Sequence, residues 1–561
     1  MQIGSRLSSS RATAAAAEPR FMITATVEQV LLLASLFWLL AANRLFFSAA
    51  LRERSLSDPS AWGFAAALAL LLLALHFLLL GLVVNRWTVK PVLALLIVGT
   101  AFASFYMQSF GVYLDPSMLR NVMKSDVAEA RELLSWPLAL HLLLYAGLPL
   151  LLLSRLRIRA QPLLKSALWR IGWMALAAAV AVGAMLSVFQ PFASMMRNHK
   201  EVRYLMTPAN YLWSLAAVGA AEAKGAAAPR QPLGLDAQPG PSWATQTKPR
   251  LVVLVVGETA RAANWGLNGY ARQTTPELAA LPGVINFPKV TSCGTNTETS
   301  LPCMFAPIGR RDYDEARIRG SESLLHLLAR AGVGVHWRDN QSGCKGVCDG
   351  LPQDSVIELN PPGLCAEGRC MDEGLLLGLE QRLAEAKGTQ LLVLHQLGNH
   401  GPSYFRRYPP AFARFQPACQ SDELRNCSRE EIVNAYDNAL LYTDHLLARL
   451  IQRLQAKAAQ VDTALVYVSD HGESLGESNL FLHGMPYAIA PAVQTQVPMV
   501  MWFSPGWQPA RGLDADCLRK RAAQPAAHDH LFHSLMGLLD VRSAAYAPDY
   551  DLTRSCLRQP S

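Results

Sequence analysis

The sequence has no cysteine before Cys293, no apolar run of membrane-spanning length after residue 190, and no acidic residue between Arg155 and Arg170. The first absence excludes disulfides and thiolate metal sites from the front of the chain. The second excludes further membrane spans from its back; the run Leu251–Val256 is far too short to cross a bilayer and reads as a buried strand. The third marks a loop carrying Arg155, Arg157, Arg159, Lys165 and Arg170, uncompensated, as cytoplasmic. No nucleic-acid motif stands out. The formal charge of +8 is largely accounted for by such loops, so it reads as topology and not as a nucleic-acid footprint.

Five apolar runs precede residue 190: about Val27–Phe47, Trp62–Val84, Pro91–Val112, Pro137–Leu153 and Ile171–Val188. Arg6, Arg11 and Arg20 before the first, and Arg86 and Lys90 between the second and third, join the fourth loop in facing the cytoplasm. An odd number of spans then carries everything after Val188 outside. The expected organisation is a tail over 1–26, five transmembrane helices over 27–190, a juxtamembrane helix and linker over 191–248, and a catalytic domain over 249–561. Met22 stands as an alternative start. The Pro/Gly/Ala-rich stretch Ala223–Lys248 reads as a linker that frees the outer domain. The loop Asp115–Trp136 has apolar residues at helical spacing and is expected along the outer membrane interface.

All ten cysteines lie in the outer part, as in a protein of an oxidising compartment. Sequence proximity pairs Cys293 with Cys303, Cys344 with Cys348, Cys365 with Cys370 and Cys419 with Cys427, leaving Cys517 for Cys556. Zinc is the alternative for the second and third pairs, against which stands their lack of two-residue spacing. Strand-like runs at Leu251–Val256, Gly334–Trp337, Gln390–His395, Ala464–Ser469 and Met499–Phe503 alternate with helical stretches at Ser323–Ala331, Gly374–Ala386 and Glu430–Ala456. That alternation predicts a mainly parallel sheet covered by helices, with its site at the carboxyl ends of the strands.

The chemistry-bearing residues fall at those ends. Glu258 follows the first strand; Asp470 and His471, followed by Gly, end another, in a tight turn with two metal-competent groups. The stretch Thr291–Cys303 gathers hydroxyls between two cysteines, and the residues alone leave the choice among Thr295, Thr297, Thr299 and Ser300 open. His400 and His483 sit beside glycines that permit close approach to a ligand. Lys345, between Cys344 and Cys348, is a candidate for holding a phosphate.

The motifs Gly-Glu258-Thr-Ala-Arg, Ser-Cys-Gly-Thr-Asn-Thr297, Trp-Arg-Asp-Asn-x-Ser-Gly-Cys-Lys345, Asn-His400-Gly-Pro, Ser-Asp470-His471-Gly-Glu and Leu-His483-Gly-Met-Pro, in this order after five spans, resemble those of the lipid A phosphoethanolamine transferases, the family that includes polymyxin-resistance enzymes. The resemblance implies an α-helical membrane domain with five transmembrane helices, followed by an α/β alkaline-phosphatase-like domain that uses zinc. It implies Thr297 as nucleophile, Glu258, Thr297, Asp470 and His471 as metal residues, His400 and His483 on the substrate side, and Lys345 at the donor head group. Phosphatidylethanolamine is the implied donor and lipid A the acceptor, in a Gram-negative inner membrane with the catalytic domain in the periplasm. Glu298, where many members have a small residue, bears on acceptor preference. The competing readings are the same chemistry on a core sugar, a hydrolase of the same superfold, and a non-catalytic membrane-anchored sensor. A sulfatase requires a C/S-x-P-x-R run, which the site lacks.

Overall fold

The structure is a computed structural model that describes residues 23–557 apart from 53, 126 and 228; the expected tail therefore lies outside the described residues except for its last four. Two compact units emerge. One comprises the chain up to Phe102 together with Leu140–Asn198, the other Ala103–Ala139 together with His199 onward.

Among the described residues, four helices are long and apolar enough to cross a membrane: Pro59–Val83, Val89–Phe110, Trp136–Arg155 and Leu163–Ser187. The count is five if the bent pair Val27–Ala41 and Arg44–Ala50 is one span. That pair bends by 59°. At the break the buried Asn43 donates its side-chain amide to the Trp38 carbonyl, an interaction that hydropathy does not register. Gly81 leaves room for Met174 of the facing helix, whose side chain would lie 3.6 Å from an added Cβ.

The second unit is built on an eight-stranded sheet in the order Ala526–Ala527, Ile285–Thr291, Gln496–Phe503, Asp462–Ser469, Arg250–Gly257, Thr389–His395, Gly334–Asp339, Gln353–Ser355. Gln496–Phe503 runs antiparallel to both neighbours and the other pairings are parallel. The central strand is buried at every position because both faces are covered: Val252, Leu254 and Val256 enter one apolar core while Leu251, Val253 and Val255 enter the other. The 28-residue helix Arg429–Ala456 covers the second face with Ile432, Tyr436, Leu440, Leu447 and Ile451. Its start is fixed by a capping box in which the Ser428 hydroxyl accepts from Glu431 N–H and the Glu431 carboxylate accepts from Ser428 N–H.

Two expectations need correction. Residues 229–248 are not a free linker: Gln231 bridges to Ser321, Gln238–Pro239 pairs with Val541–Arg542, Ser242 N–H donates to Asp540, and Trp243 Nε1–H donates to the Leu539 carbonyl. Polar and Gly/Pro-rich composition marks an absence of regular structure, but not an absence of partners. Likewise, the hydropathy block 27–190 does not stay together. Ala103–Ala139 groups with the second unit, where helix Pro116–Lys124 places Ser117 against Asn296 and Arg120 against Glu315.

Candidate active site

The register aligns Ser469 with Gly257, so Asp470 and Glu258 leave adjacent parallel strands side by side. Thr259 then takes a left-handed backbone with φ 60°, a conformation that costs a β-branched residue about 1–3 kcal/mol and that the surrounding bonds hold in place. Its N–H donates to Asp470 Oδ1 and its hydroxyl to Glu258 Oε1. Gly398, φ 53°, closes over this turn; a Cβ there would sit 2.7 Å from the Glu258 carbonyl.

Glu258, Asp470 and His471 present ligand atoms all within 4.8 Å of one another, and all three residues are buried. His471 Nε2 lies 3.3 Å from Glu258 Oε1 and 3.4 Å from Asp470 Oδ2. Its Nδ1 faces the Gly472 carbonyl at 2.9 Å, which assigns a proton there and leaves Nε2 as the ligand atom. Asp470 Oδ1 accepts from Thr259 N–H and His471 N–H, whereas the buried Oδ2 has no hydrogen-bond partner among the described residues. An unpaired buried carboxylate oxygen beside a second carboxylate and an imidazole is the donor set of a divalent cation.

Electrostatics agree. Burial opposes ionisation of Glu258, but the hydrogen bond and charge of His471, then His400 and His483, outweigh it and hold the carboxyl well below its usual range. Burial and the Glu258 charge push Asp470 up. Burial works against the His471 cation, yet Asp470 and Glu258 raise its pKa above the ordinary imidazole value. Without a metal, a proton on His471 balances part of the carboxylate charge, in the place a cation takes.

Of the four hydroxyls left open by the sequence, that of Thr297 faces this cluster, 3.1 Å from Glu258 Oε2 and 3.4 Å from His471 Nε2. Thr295 instead donates to the Met485 carbonyl and Ser300 to that of Asp470. Thr297 opens the helix Thr297–Met304, capped by Asn296, whose side chain accepts from Thr299 N–H. The positive end of that helix favours an anion at its first residue. The loop is stapled by Cys293–Cys303. The structure also pairs Cys344 with Cys348, Cys365 with Cys370, Cys419 with Cys427 and Cys517 with Cys556, leaving no free cysteine.

His483 and His400 stand next to the cluster, with ring centroids 4.4 Å from His471 to His483 and 5.7 Å from His483 to His400. The side chain of Lys345 is largely covered, its Nζ 2.6 Å from Ser342 Oγ and 3.2 Å from Glu298 Oε1. Glu298 thus lies under Lys345, and its Oε2 also faces Arg319 at 3.4 Å.

Several contributors were not among the residues singled out from sequence. Gln341 Nε2 donates to Glu258 Oε2 at 3.2 Å. His528 accepts from Cys293 N–H and faces the Ser469 carbonyl, bracing the loop that carries Thr297 against the strand that ends at Asp470; burial lowers it to about 4, so it is neutral. Glu473, fully buried, faces His483 Nδ1 at 2.8 Å and accepts from the Tyr404 hydroxyl at 2.5 Å. Burial and then the Glu473 charge push the Tyr404 phenol well above its ordinary value, so it remains a donor. Gln341 and Glu473 lie inside the motifs that carry the resemblance; His528 leaves no local signal. Glu473→Gln is expected to lower turnover about 10- to 100-fold with metal content retained, since it releases the His483 ring but no ligand. Wild-type turnover in that variant would show that His483 needs no orienting carboxylate.

Comparison with known proteins places this geometry. Residues 250–541 match the sulfatase family model and residues 72–223 the phosphoethanolamine transferase EptA/EptB model. The chain is 38% identical to phosphoethanolamine transferase EptA of Salmonella typhimurium over 477 residues, 84% of this chain and 86% of its relative. It is 38% identical to phosphatidylethanolamine transferase Mcr-1 of Escherichia coli over 483 residues, 83% and 88% of the two chains. The solved integral membrane lipooligosaccharide phosphoethanolamine transferase A of Neisseria meningitidis superposes with a TM-score of 0.91 at 36% identity, covering 96% of this chain and all of that one. A membrane domain of apolar helices followed by an alkaline-phosphatase-like domain, with a hydroxyl poised at a buried metal-competent cluster, is therefore this chain's architecture, and the chain belongs to the phosphoethanolamine transferase family of the EptA and Mcr type.

Proposed function

We propose that this protein transfers phosphoethanolamine from phosphatidylethanolamine to lipid A through a phosphoethanolamine-threonine intermediate on Thr297, with zinc as the metal. The observation that carries the reading is the Thr297 hydroxyl within hydrogen-bond reach of Glu258 and His471, in a cluster whose Asp470 Oδ2 is unpaired. Glu258, Asp470 and His471, with Thr297 as the fourth donor, would hold the ion. Zinc bound there supplies the Lewis acidity that lowers the hydroxyl pKa and offsets phosphoryl charge.

The chain's own residues supply the remainder. Thr297, having lost its hydroxyl proton to solvent, attacks the donor phosphorus through Oγ1, forming the threonine ester as the bond to the diacylglycerol oxygen breaks. His483, oriented by Glu473, or His400 gives the departing alkoxide its proton. The helix terminus at Thr297 and the ammonium of Lys345 stabilise the phosphoryl oxygens. In the second step an acceptor phosphate oxygen attacks the same phosphorus; the Thr297 oxygen leaves with the bonding pair and is reprotonated. Both partners are lipids, which accounts for a globular catalytic unit borne on apolar helices, here read as an inner-membrane anchor with the disulfide-bearing unit in the periplasm. The name of the Neisseria relative, a lipooligosaccharide phosphoethanolamine transferase, supports this acceptor class.

Each ethanolamine cation added to lipid A offsets surface charge worth about 1 kcal/mol to an approaching cationic residue. Polymyxins carry several such charges, so tolerance is expected to rise roughly tenfold or more in a susceptible Gram-negative host. Mass spectrometry of lipid A from cells with and without the protein tests this. Phosphoethanolamine on lipid A together with raised tolerance supports the reading; the group on a core sugar, with lipid A unmodified, reassigns the acceptor.

A further inference from the structure

The Gly-Glu258-Thr-Ala-Arg motif ends in Arg261, to which the reaction above gives no part. Its side chain is buried, and each of its three guanidinium nitrogens is engaged. Nε donates to Asn264 Oδ1 at 2.6 Å, Nη1 donates to the Glu473 carbonyl at 3.0 Å, and Nη2 lies 2.8 Å from Glu477 Oε1. The backbone N–H of Arg261 donates to the Tyr436 hydroxyl, which donates in turn to the Thr259 carbonyl. Arg261 is therefore fixed to the turn after Glu258 by its backbone and grips residues 473–477 with its side chain.

The gripped segment opens a short hairpin. Ser474–Leu475 pairs antiparallel with Phe481–Leu482, and His483 follows directly. Ser478, Asn479 and Leu482 all take left-handed backbones, with φ 53°, 59° and 61°. Side chains disfavour that conformation, and it persists only where the surroundings impose it. Glu477 fixes the turn: Oε2 accepts from Leu475 N–H at 2.6 Å, while Oε1 faces Arg261 and, at 3.2 Å, Arg429. At the open end Gln494 donates to the Ser474 hydroxyl and the Leu482 carbonyl and accepts from Met485 N–H. Glu473 in turn faces His483 Nδ1 at 2.8 Å, which leaves Nε2 as the nitrogen free to exchange a proton with a substrate. One guanidinium thus holds both the residue that orients His483 and the hairpin that delivers it.

We propose that Arg261 and Glu477 are positioning residues for His483: their ion pair holds the hairpin so that the imidazole stands beside the departing diacylglycerol oxygen and gives it its proton. This rests on the transferase reading above and deepens it by naming the proton donor and what holds it. The proton moves from His483 Nε2 to the oxygen as the phosphorus–oxygen bond breaks, with the bonding pair staying on oxygen. Solvent then reprotonates His483 before the next turnover.

The test compares two donors that differ in leaving group, with full-length, zinc-loaded protein in detergent micelles and release followed in a single turnover. Phosphatidylethanolamine releases an alkoxide, which needs a proton; para-nitrophenyl phosphoethanolamine releases a stable phenolate, which does not. Arg261→Lys and Glu477→Gln are expected to slow diacylglycerol release about ten- to a hundredfold with KM for phosphatidylethanolamine unchanged, and nitrophenolate release by less than about threefold. Glu477→Gln, at the partly exposed end of the pair, decides the matter should Arg261→Lys not accumulate. In a His483→Gln background, Glu477→Gln is expected to cost nothing further, because the two act through one group. Equal losses on both donors, no loss on either, or a further loss in the double variant overturns the proposal and leaves a purely structural ion pair. Wild-type protein that releases no diacylglycerol overturns instead the transferase chemistry beneath it.

Discussion

Thr297→Ala is expected to reduce phosphoethanolamine transfer by at least about ten-thousand-fold, the scale on which deleting a nucleophile acts. Two neighbouring hydroxyls are committed elsewhere, those of Thr295 and Ser300 to the carbonyls of Met485 and Asp470. The fold should survive. Alanine is tolerated in the first turn of a helix, the Asn296 cap and the Cys293–Cys303 staple remain, and Glu258, Asp470 and His471 are untouched. Melting temperature and zinc content near wild type, with transfer absent, is the expected pair of readings. Residual transfer within about a hundredfold of wild type would mean that another group, or water, carries the phosphoryl.

The second large effect is that of Asp470→Asn, expected to abolish stoichiometric zinc binding and to lower turnover by about a thousandfold or more. The sign of its stability effect makes the test specific. In the metal-free protein Asp470 and Glu258 are buried like charges, so removing one is neutral or stabilising. Wild-type protein should gain about 2.7 kcal/mol at a zinc concentration a hundred times the dissociation constant, whereas Asp470→Asn should gain little. Acid should weaken zinc binding. Because the carboxylates raise the His471 pKa, the metal-free imidazole is protonated at neutral pH, and the metal must displace that proton. Affinity is expected to fall by up to about tenfold per pH unit of acidification. Asp470→Asn protein with full zinc occupancy and activity would remove the cluster from the mechanism.

Much of this was legible because burial writes itself into sequence. Leu251–Val256 and Ala464–Ser469 are uninterrupted apolar runs, as strands covered on both faces must be, and each delivers its first polar residue, Glu258 or Asp470, to the same sheet edge. The hydroxyl was not separable from its neighbours by composition, because Thr295, Thr297 and Thr299 differ only in which way a capped turn points them. Arg261 and Glu477 were illegible as a pair for another reason. They lie far apart in sequence, and an ion pair leaves no periodicity on either partner. Until the fold is known, each reads as an ordinary solvated charge. His528 is similar: its bond to Cys293 N–H ties the loop that carries Thr297 to a helix near residue 530. The stretch 229–248 misled because Gly and Pro deplete regular structure whether or not the backbone finds partners elsewhere, as it does at Asp540 and Leu539.

The most direct measurement is peptide mass mapping of zinc-loaded protein quenched after incubation with phosphatidylethanolamine alone. A phosphoethanolamine adduct is expected on Thr297, formed with release of diacylglycerol and lost when lipid A is added, as lipid A gains the same group. An adduct on Thr295, Thr299 or Ser300 with Thr297 unmodified, or transfer proceeding with no adduct in the Thr297→Ala protein, would contradict a threonine nucleophile at the Glu258, Asp470 and His471 cluster.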